Sequence, residues 1–169
     1  YVLVCKGDEQ DRRGTSGVHV DDSIQHSRKA DGTFCLEADQ WVPRPIEEVF
    51  EFFSDAYNLE CLTPSLLRFK VLTPAPIDMH PGTLIDYKLR VHGVPLRWRT
   101  EITEWDPPHS FVDTQLKGPY TLWHHTHRFE SVNGGTRCTD TVLYRVFGGR
   151  LIQSLFVGRD VEAIFDYRQ

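Results

Sequence analysis

Gly118-Pro-Tyr-Thr-Leu-Trp-His-His-Thr-His-Arg-Phe-Glu130 decides how the rest of this chain is read. The run packs three histidines and a tryptophan into what the pattern predicts to be a β-strand. At a strand's period of two, Trp123, His125, His127 and Phe129 point to one face. His124, Thr126, Arg128 and Glu130 point to the other, which is ordinary solvent-facing chemistry. The first set mixes imidazoles with large aromatics. If that face turns inward, it places polar groups inside an apolar space.

The neighbouring segments decide the direction. Ile85, Tyr87, Leu89 and Val91 alternate with Asp86, Lys88 and Arg90; Trp98, Thr100 and Ile102 alternate with Arg97, Arg99, Glu101 and Thr103. Further on, Cys138, Asp140, Val142 and Tyr144 alternate with Arg137, Thr139, Thr141 and Arg145, although Leu143 breaks the polar side. Three strands with one charged and one apolar-aromatic face describe an antiparallel sheet that is wet on one side. By that rule Trp123, His125, His127 and Phe129 face in. The strand over 110–116 stays open, because Phe111, Asp113 and Gln115 compete with Val112, Thr114 and Leu116.

Strands are expected over 33–42, 68–73, 83–92, 96–105, 110–116, 121–131 and 136–147. The breaks between them hold His80-Pro-Gly82, Gly93-Val-Pro95, Pro107-Pro108, Gly118-Pro119 and Asn133-Gly-Gly135, all turn formers. Connections this short favour antiparallel neighbours. Between the first two strands, Pro45 suits a first helical position, with Glu47 and Glu48 in the first turn. Ile46, Val49, Phe50 and Phe53 recur at helical spacing, and Ser54-Asp55 can cap a second short helix that ends at Thr63-Pro64. After Gly148-Gly149, Leu151, Leu155, Val161, Ile164 and Phe165 form the apolar stripe of a long final helix, the natural cover for the dry face.

Residues 1–32 contrast with this order. Beyond Val2–Val4 they are rich in Asp, Arg, Lys, Gln, Ser and Gly, with too little apolar area to offset the entropy of ordering them. They are expected to be a flexible extension or linker, with a partner-binding arm as the functional alternative, preceding a single domain over 33–169. A net charge of -5 with interspersed signs argues against nucleic acid as a partner, which would call for a basic stripe. No apolar stretch is long enough to span a bilayer. Cys5, Cys35, Cys61 and Cys138 show neither a CxxC pair nor zinc-finger spacing, and are read as isolated, reduced thiols of a cytoplasmic protein.

A strand, two short helices, six more strands and a long helix make an α+β helix-grip order, and the residues match a known one. The chain resembles the START/SRPBCC superfamily, and within it the bacterial polyketide cyclase/dehydrase-like SRPBCC proteins. The resemblance lies in Trp41-Val-Pro-Arg-Pro-Ile-Glu-Glu-Val-Phe50, Asn58-Leu59 with Thr63-Pro64, and Gly82-Thr-Leu-Ile-Asp-Tyr87. It continues through Gly93-Val-Pro-Leu-Arg-Trp98, Trp105-Asp-Pro-Pro108, Phe111-Val-Asp-Thr-Gln115, Gly118-Pro-Tyr120, Trp123-His-His-Thr-His127 and Ile164-Phe-Asp-Tyr-Arg168. It implies a curved antiparallel sheet of about seven strands wrapped around the last helix, with a ligand cavity between them. Binders, transporters and enzymes share this scaffold, so no catalytic set is carried over with it.

Buried imidazoles and charges need partners or a ligand's polar head. His125 and His127 can meet Asp140 and Tyr144 on the strand paired with theirs through Asn133-Gly-Gly135, and Asp113 and Gln115 from the preceding strand. Three readings follow. In the first, this cluster orients a small, largely apolar ligand such as a lipid, polyketide or isoprenoid-like molecule, between walls of Tyr87, Trp98, Trp123, Phe129 and Tyr144. In the second, His125, His127, Asp140 and Tyr144 are acid-base candidates for a polyketide cyclase or dehydratase. In the third, the charged outer face around Arg97 and Arg99 binds a protein. A purely structural Asp–His network is the bland counterpart of all three. No nucleophile motif, phosphate loop or cofactor signature is present, so no cofactor is expected. An HxH pair can ligate a metal, as in cupins, but Glu130 falls on the opposite face and no second cupin half follows. No metal is expected either.

Overall fold

The computed structural model describes residues 23–91 and 93–146. They form one antiparallel sheet of eight strands, in the order β1-β2-β8-β7-β6-β5-β4-β3. The strands are β1 (Ser23–Arg28), β2 (Phe34–Val42), β3 (Lys70–Val71), β4 (Leu84–Val91), β5 (Val94–Asp106), β6 (Ser110–Lys117), β7 (Tyr120–Val132) and β8 (Gly135–Val146). From β3 to β8 the chain meanders between neighbours, and β2 then closes onto β8. Each expected strand is found within a few residues of its expected limits. The exception is the 68–73 run, which pairs only at Lys70–Val71.

Three differences from expectation stand out. The sheet has eight strands rather than about seven, because residues 23–28, placed in the flexible extension by composition, pair with Phe34–Asp39 as an edge strand. Between β2 and β3 lie one α-helix, α1 (Ile46–Ser54), and two 3₁₀ turns, 56–60 and 65–67, instead of two helices. The cover helix expected over 151–165 falls outside the described residues.

Local chemistry explains the elements. Pro45 flanks α1 as its cap rather than entering it, and Val49 N–H donates to its carbonyl at 3.2 Å. Ile46, Val49 and Phe50 are buried on the helix's inner side against Phe111 and Phe129 of the sheet. Asp55 caps the next turn, its carboxylate accepting from Tyr57 N–H at 2.9 Å. At the β7–β8 hairpin Val132 pairs with Gly135, so Asn133 and Gly134 are the two turn residues. Their φ values of 53° and 76° are both left-handed, the geometry that matches hairpin twist. This turn fixes the register of the two longest-paired strands.

The alternation read from sequence holds on both faces. Ile85, Tyr87, Leu89, Ile102, Phe129, Cys138, Val142 and Tyr144 are buried, while Lys88, Arg90, Arg97, Arg99, Arg128, Glu130 and Arg137 are exposed. Each large apolar side chain removed from water stabilises the fold by roughly 1.5–3 kcal/mol before chain entropy is counted. The inner face carries separate apolar clusters around Leu36 and Tyr144, around Phe50 and Phe129, and around Ile85 and Tyr87. Cys35 and Cys138 are free and buried, whereas Cys61 is disulfide-bonded, which corrects the reading of all the cysteines as reduced thiols.

Candidate functional site: a cavity with one polar spot

Register brings the polar residues together. On β7 the imidazoles of His125 and His127 stand two residues apart on the inner face. Asp113 of β6 lies opposite His125, and Asp140 of β8 lies opposite His127. The histidine pair is thus flanked by one aspartate on each side, offset by a diagonal step, and cross-strand diagonals are within reach of long side chains.

The result is a closed ring of contacts. Asp113 Oδ2 lies 3.3 Å from His125 Nδ1 and 3.3 Å from His127 Nε2. Asp140 Oδ1 lies 3.2 Å from His125 Nε2 and 2.6 Å from His127 Nδ1. The last approach is close but off-line, so His127 Nδ1 has no aligned hydrogen-bond partner among the described residues. The imidazoles face each other at 3.8 Å between centroids, and His127 stacks on Phe111 at 4.1 Å. His125, His127 and Asp140 are buried, and Asp113 is half-buried.

The electrostatics follow from this enclosure. Burial alone pushes the His125 pKa down, but hydrogen bonds to Asp113 and Asp140 and their charges outweigh it and raise it to about 9. Burial likewise opposes charge on the two carboxylates. For Asp113 the hydrogen bonds from the two imidazoles reverse that effect, and for Asp140 the charge on His127 is the largest opposing cause. Both carboxyls are held well below their usual range. Tyr87, deeply buried and near the Asp113 charge, is pushed well above the usual phenol range and stays a neutral hydroxyl.

A cavity of about 450 Å³ opens beside this ring. Six of the residues singled out from sequence line it: Tyr87, Trp98, Asp113, Trp123, His125 and His127. Four do not. Asp140 sits behind the histidines. Tyr144 is fully buried in the cluster around Leu36, and Phe129 is packed against Phe50, Phe53 and Phe111. Gln115 turns away to the β6–β7 connection, where its amide donates to Tyr120 C=O at 2.7 Å across space left by Gly118.

Sequence reasoning missed much of the remaining wall. Leu59, Leu62, Leu67 and Phe69 come from the irregular stretch between α1 and β3, and Tyr120 packs on Trp123 at 4.7 Å between ring centroids. Side-chain anchors hold that stretch in place: Tyr57 O–H donates to Thr73 C=O at 2.6 Å, and Glu60 accepts from Val71 N–H at 3.0 Å. The available signal was the apolar content of 59–69, which has no periodicity to reveal its direction. Thr100 hydroxyl, which accepts from Trp98 Nε1 at 3.1 Å, is a further polar group on the wall.

A family model described as "Polyketide cyclase / dehydrase and lipid transport" matches residues 42–164. The chain belongs to this family. Its fold recurs in solved structures of low sequence identity. A START superfamily protein from Mycobacterium smegmatis aligns with a TM-score of 0.60 at 12% identity, covering 79% of this chain and 92% of that one. The Zhui aromatase/cyclase from Streptomyces sp. R1128 aligns with a TM-score of 0.61 at 15% identity, over 80% and 91% of the two chains. Protein Ms6760 of M. smegmatis gives 0.62 at 18% identity, over 86% and 94%. None of the curated proteins matches by sequence. At these identities the structures establish a START-like fold, and the chemistry has to be argued from this chain's own residues. No helix among the described residues is long and apolar enough to cross a membrane.

Proposed function

We propose that this protein binds a small, largely apolar molecule in the sheet's cavity, with the molecule's polar end directed at Asp113, His125 and His127. The observation that carries the reading is the distribution of polarity around the cavity. Its volume of about 450 Å³ lies within the ~300–1,000 Å³ usual for small-molecule sites. Its walls are mainly aromatic and aliphatic, and the charged lining residue Asp113 stands together with both histidines at one place. Apolar walls contribute affinity, and a few convergent polar groups fix orientation. A flat-ringed or polyenic ligand suits the mutually tilted rings of Trp98, Tyr120 and Trp123.

Native mass spectrometry of the purified protein, followed by solvent extraction, tests the proposal. A retained or added apolar molecule should bind one-to-one in the wild type and be displaced in Leu96→Trp, where a half-buried lining residue grows into the cavity. A protein that carries no such molecule and takes up no added polycyclic ketone, or a Leu96→Trp variant that binds as well, contradicts it.

The second reading is acid-base catalysis on a poly-keto chain, favoured by the contact of both cavity-facing imidazoles with buried carboxylates. His125 held between two aspartates can donate a proton to a ligand oxygen, and such positioned transfer contributes typically 10²–10⁴-fold. Turnover of a poly-keto substrate that disappears in His125→Ala while ligand affinity persists would establish it. Equal loss of both would leave binding alone.

A further inference from the structure

The ring around His125 and His127 has a second geometric reading. One donor atom each from Asp113, His125 and His127 lies within 4.8 Å of the others. The two Asp113 contacts, at 3.3 Å each, are long for charge-assisted hydrogen bonds, which run at about 2.7–2.9 Å. They match instead the roughly 3.3 Å edge of a tetrahedron whose metal–nitrogen and metal–oxygen arms are about 2.0–2.1 Å.

The outer contacts fit the same picture. If His125 Nδ1 and His127 Nε2 face a metal, their other nitrogens both lie beside one carboxylate oxygen, Asp140 Oδ1, at 3.2 and 2.6 Å, the first aligned for a hydrogen bond and the second off-line. A carboxylate behind each ligand imidazole is the usual means of fixing its tautomer and orientation. Asp113, His125 and His127 line the cavity and Asp140 does not, which separates inner ligands from an outer support. His127 Nδ1 lies close to Asp140 Oδ1 but off-line, so Asp140 supports that imidazole by electrostatic contact rather than through an aligned hydrogen bond. Charge closes as well: two carboxylates, two neutral imidazoles and one dication sum to zero, the condition under which buried carboxylates are tolerable.

We propose that Asp113, His125 and His127 bind one first-row transition dication, with Asp140 orienting both imidazoles and one coordination position open to the cavity. Two imidazoles and one carboxylate suit Zn²⁺, Co²⁺ or Fe²⁺ better than Mg²⁺ or Ca²⁺, which prefer all-oxygen shells. The open position gives the bound molecule a chemical class: one whose polar end is a metal-binding oxygen, such as a ketone, enolate or carboxylate. That last clause rests on the cavity reading; the metal site does not. The spacing in sequence hid this set, because its carboxylate comes from β6 rather than from Glu130 beside the histidines.

Tag-free protein stripped with EDTA is titrated with CoCl₂ and then ZnCl₂, with metal content read after desalting and cobalt geometry from its visible spectrum. One equivalent of Co²⁺ should give the intense bands of a four- or five-coordinate site and be displaced by Zn²⁺. Asp113→Asn and His127→Gln should each weaken binding at least 100-fold. Asp140→Asn should weaken it by about 10–100-fold while keeping one equivalent. His124→Gln, on the outer face beside Thr114, should change nothing. Substoichiometric uptake, a weak six-coordinate spectrum, or unchanged affinity in Asp113→Asn overturns the proposal. Should the variants fail to fold, histidine ring nitrogen spectra of the wild type decide: Zn²⁺ must shift His125 and His127 and leave His124 in place. An apolar naphthylamine probe is titrated in parallel. Probe uptake without metal uptake defeats the metal site and leaves the cavity reading intact, and the reverse result defeats the cavity reading alone.

Discussion

On the outer face of the sheet, Asp86 and Arg99 meet across β4 and β5 through two hydrogen bonds of 2.8 Å, with both side chains more than 40% exposed. On the inner face, Asp113 and Asp140 meet His125 and His127 from neighbouring strands of the same sheet, nearly out of reach of water. Both are cross-strand contacts between carboxylates and basic side chains at similar distances. Water and salt screen the first, so the pair adds little to stability and tolerates change. The second sits in a medium where charges interact strongly and unpaired ones are costly, so its members depend on one another. The geometry of the inner ring is therefore informative about function in a way that the better-aligned outer pair is not.

The largest expected effect comes from breaking the inner ring. Asp140→Ala in metal-free protein removes the support of both imidazoles and leaves buried charge unmatched, so urea unfolding should show a loss of about 3–5 kcal/mol. Register is the next point of attack. Ala at position 134 meets no neighbouring atom but inherits a φ of 76°, so Gly134→Ala should cost about 1–2 kcal/mol by backbone strain alone. A larger loss there would mean that the turn also disturbs the pairing of His127 with Asp140. Chemical access separates the faces without mutation. Burial, then the charges of Asp140 and Asp39, push the Cys138 thiol up to about 12, so iodoacetamide at pH 8 should leave it unmodified until the protein unfolds. The smallest effect belongs to the outer face: Arg99→Ala should leave the urea midpoint nearly unchanged and cavity binding intact. A strong loss of binding there would instead favour the charged face as the working surface.

The inner pair was legible in the sequence because β7 and β8 alternate apart from Leu143, and Asn133-Gly134 admits a two-residue hairpin, which places His127 opposite Asp140. Asp113 was harder to orient. Phe111 and Val112 are adjacent, both apolar and both buried, so polarity along β6 does not mark its inner face. Period two from Phe111 and Asp113 points Gln115 toward the ligand, whereas the structure holds its amide at the turn beside Tyr120. β1 escaped notice because it is an edge strand whose residues 25–28 are exposed, with Ile24 packed against the core. Such a strand is held mainly by backbone hydrogen bonds, which leave no periodic apolar mark. The wall from 59 to 69 was invisible for a related reason: its apolar side chains converge on the cavity from 3₁₀ turns and extended backbone, where neither period applies.

A fluorescence titration with 1-N-phenylnaphthylamine asks whether the space beside the inner ring takes up an apolar molecule. Saturable one-to-one binding is expected of the wild type, weakened at least tenfold, or ~1.4 kcal/mol, in Leu96→Trp and unchanged in Arg99→Ala. Absence of saturable binding in the wild type, or equal affinity in Leu96→Trp, would contradict it.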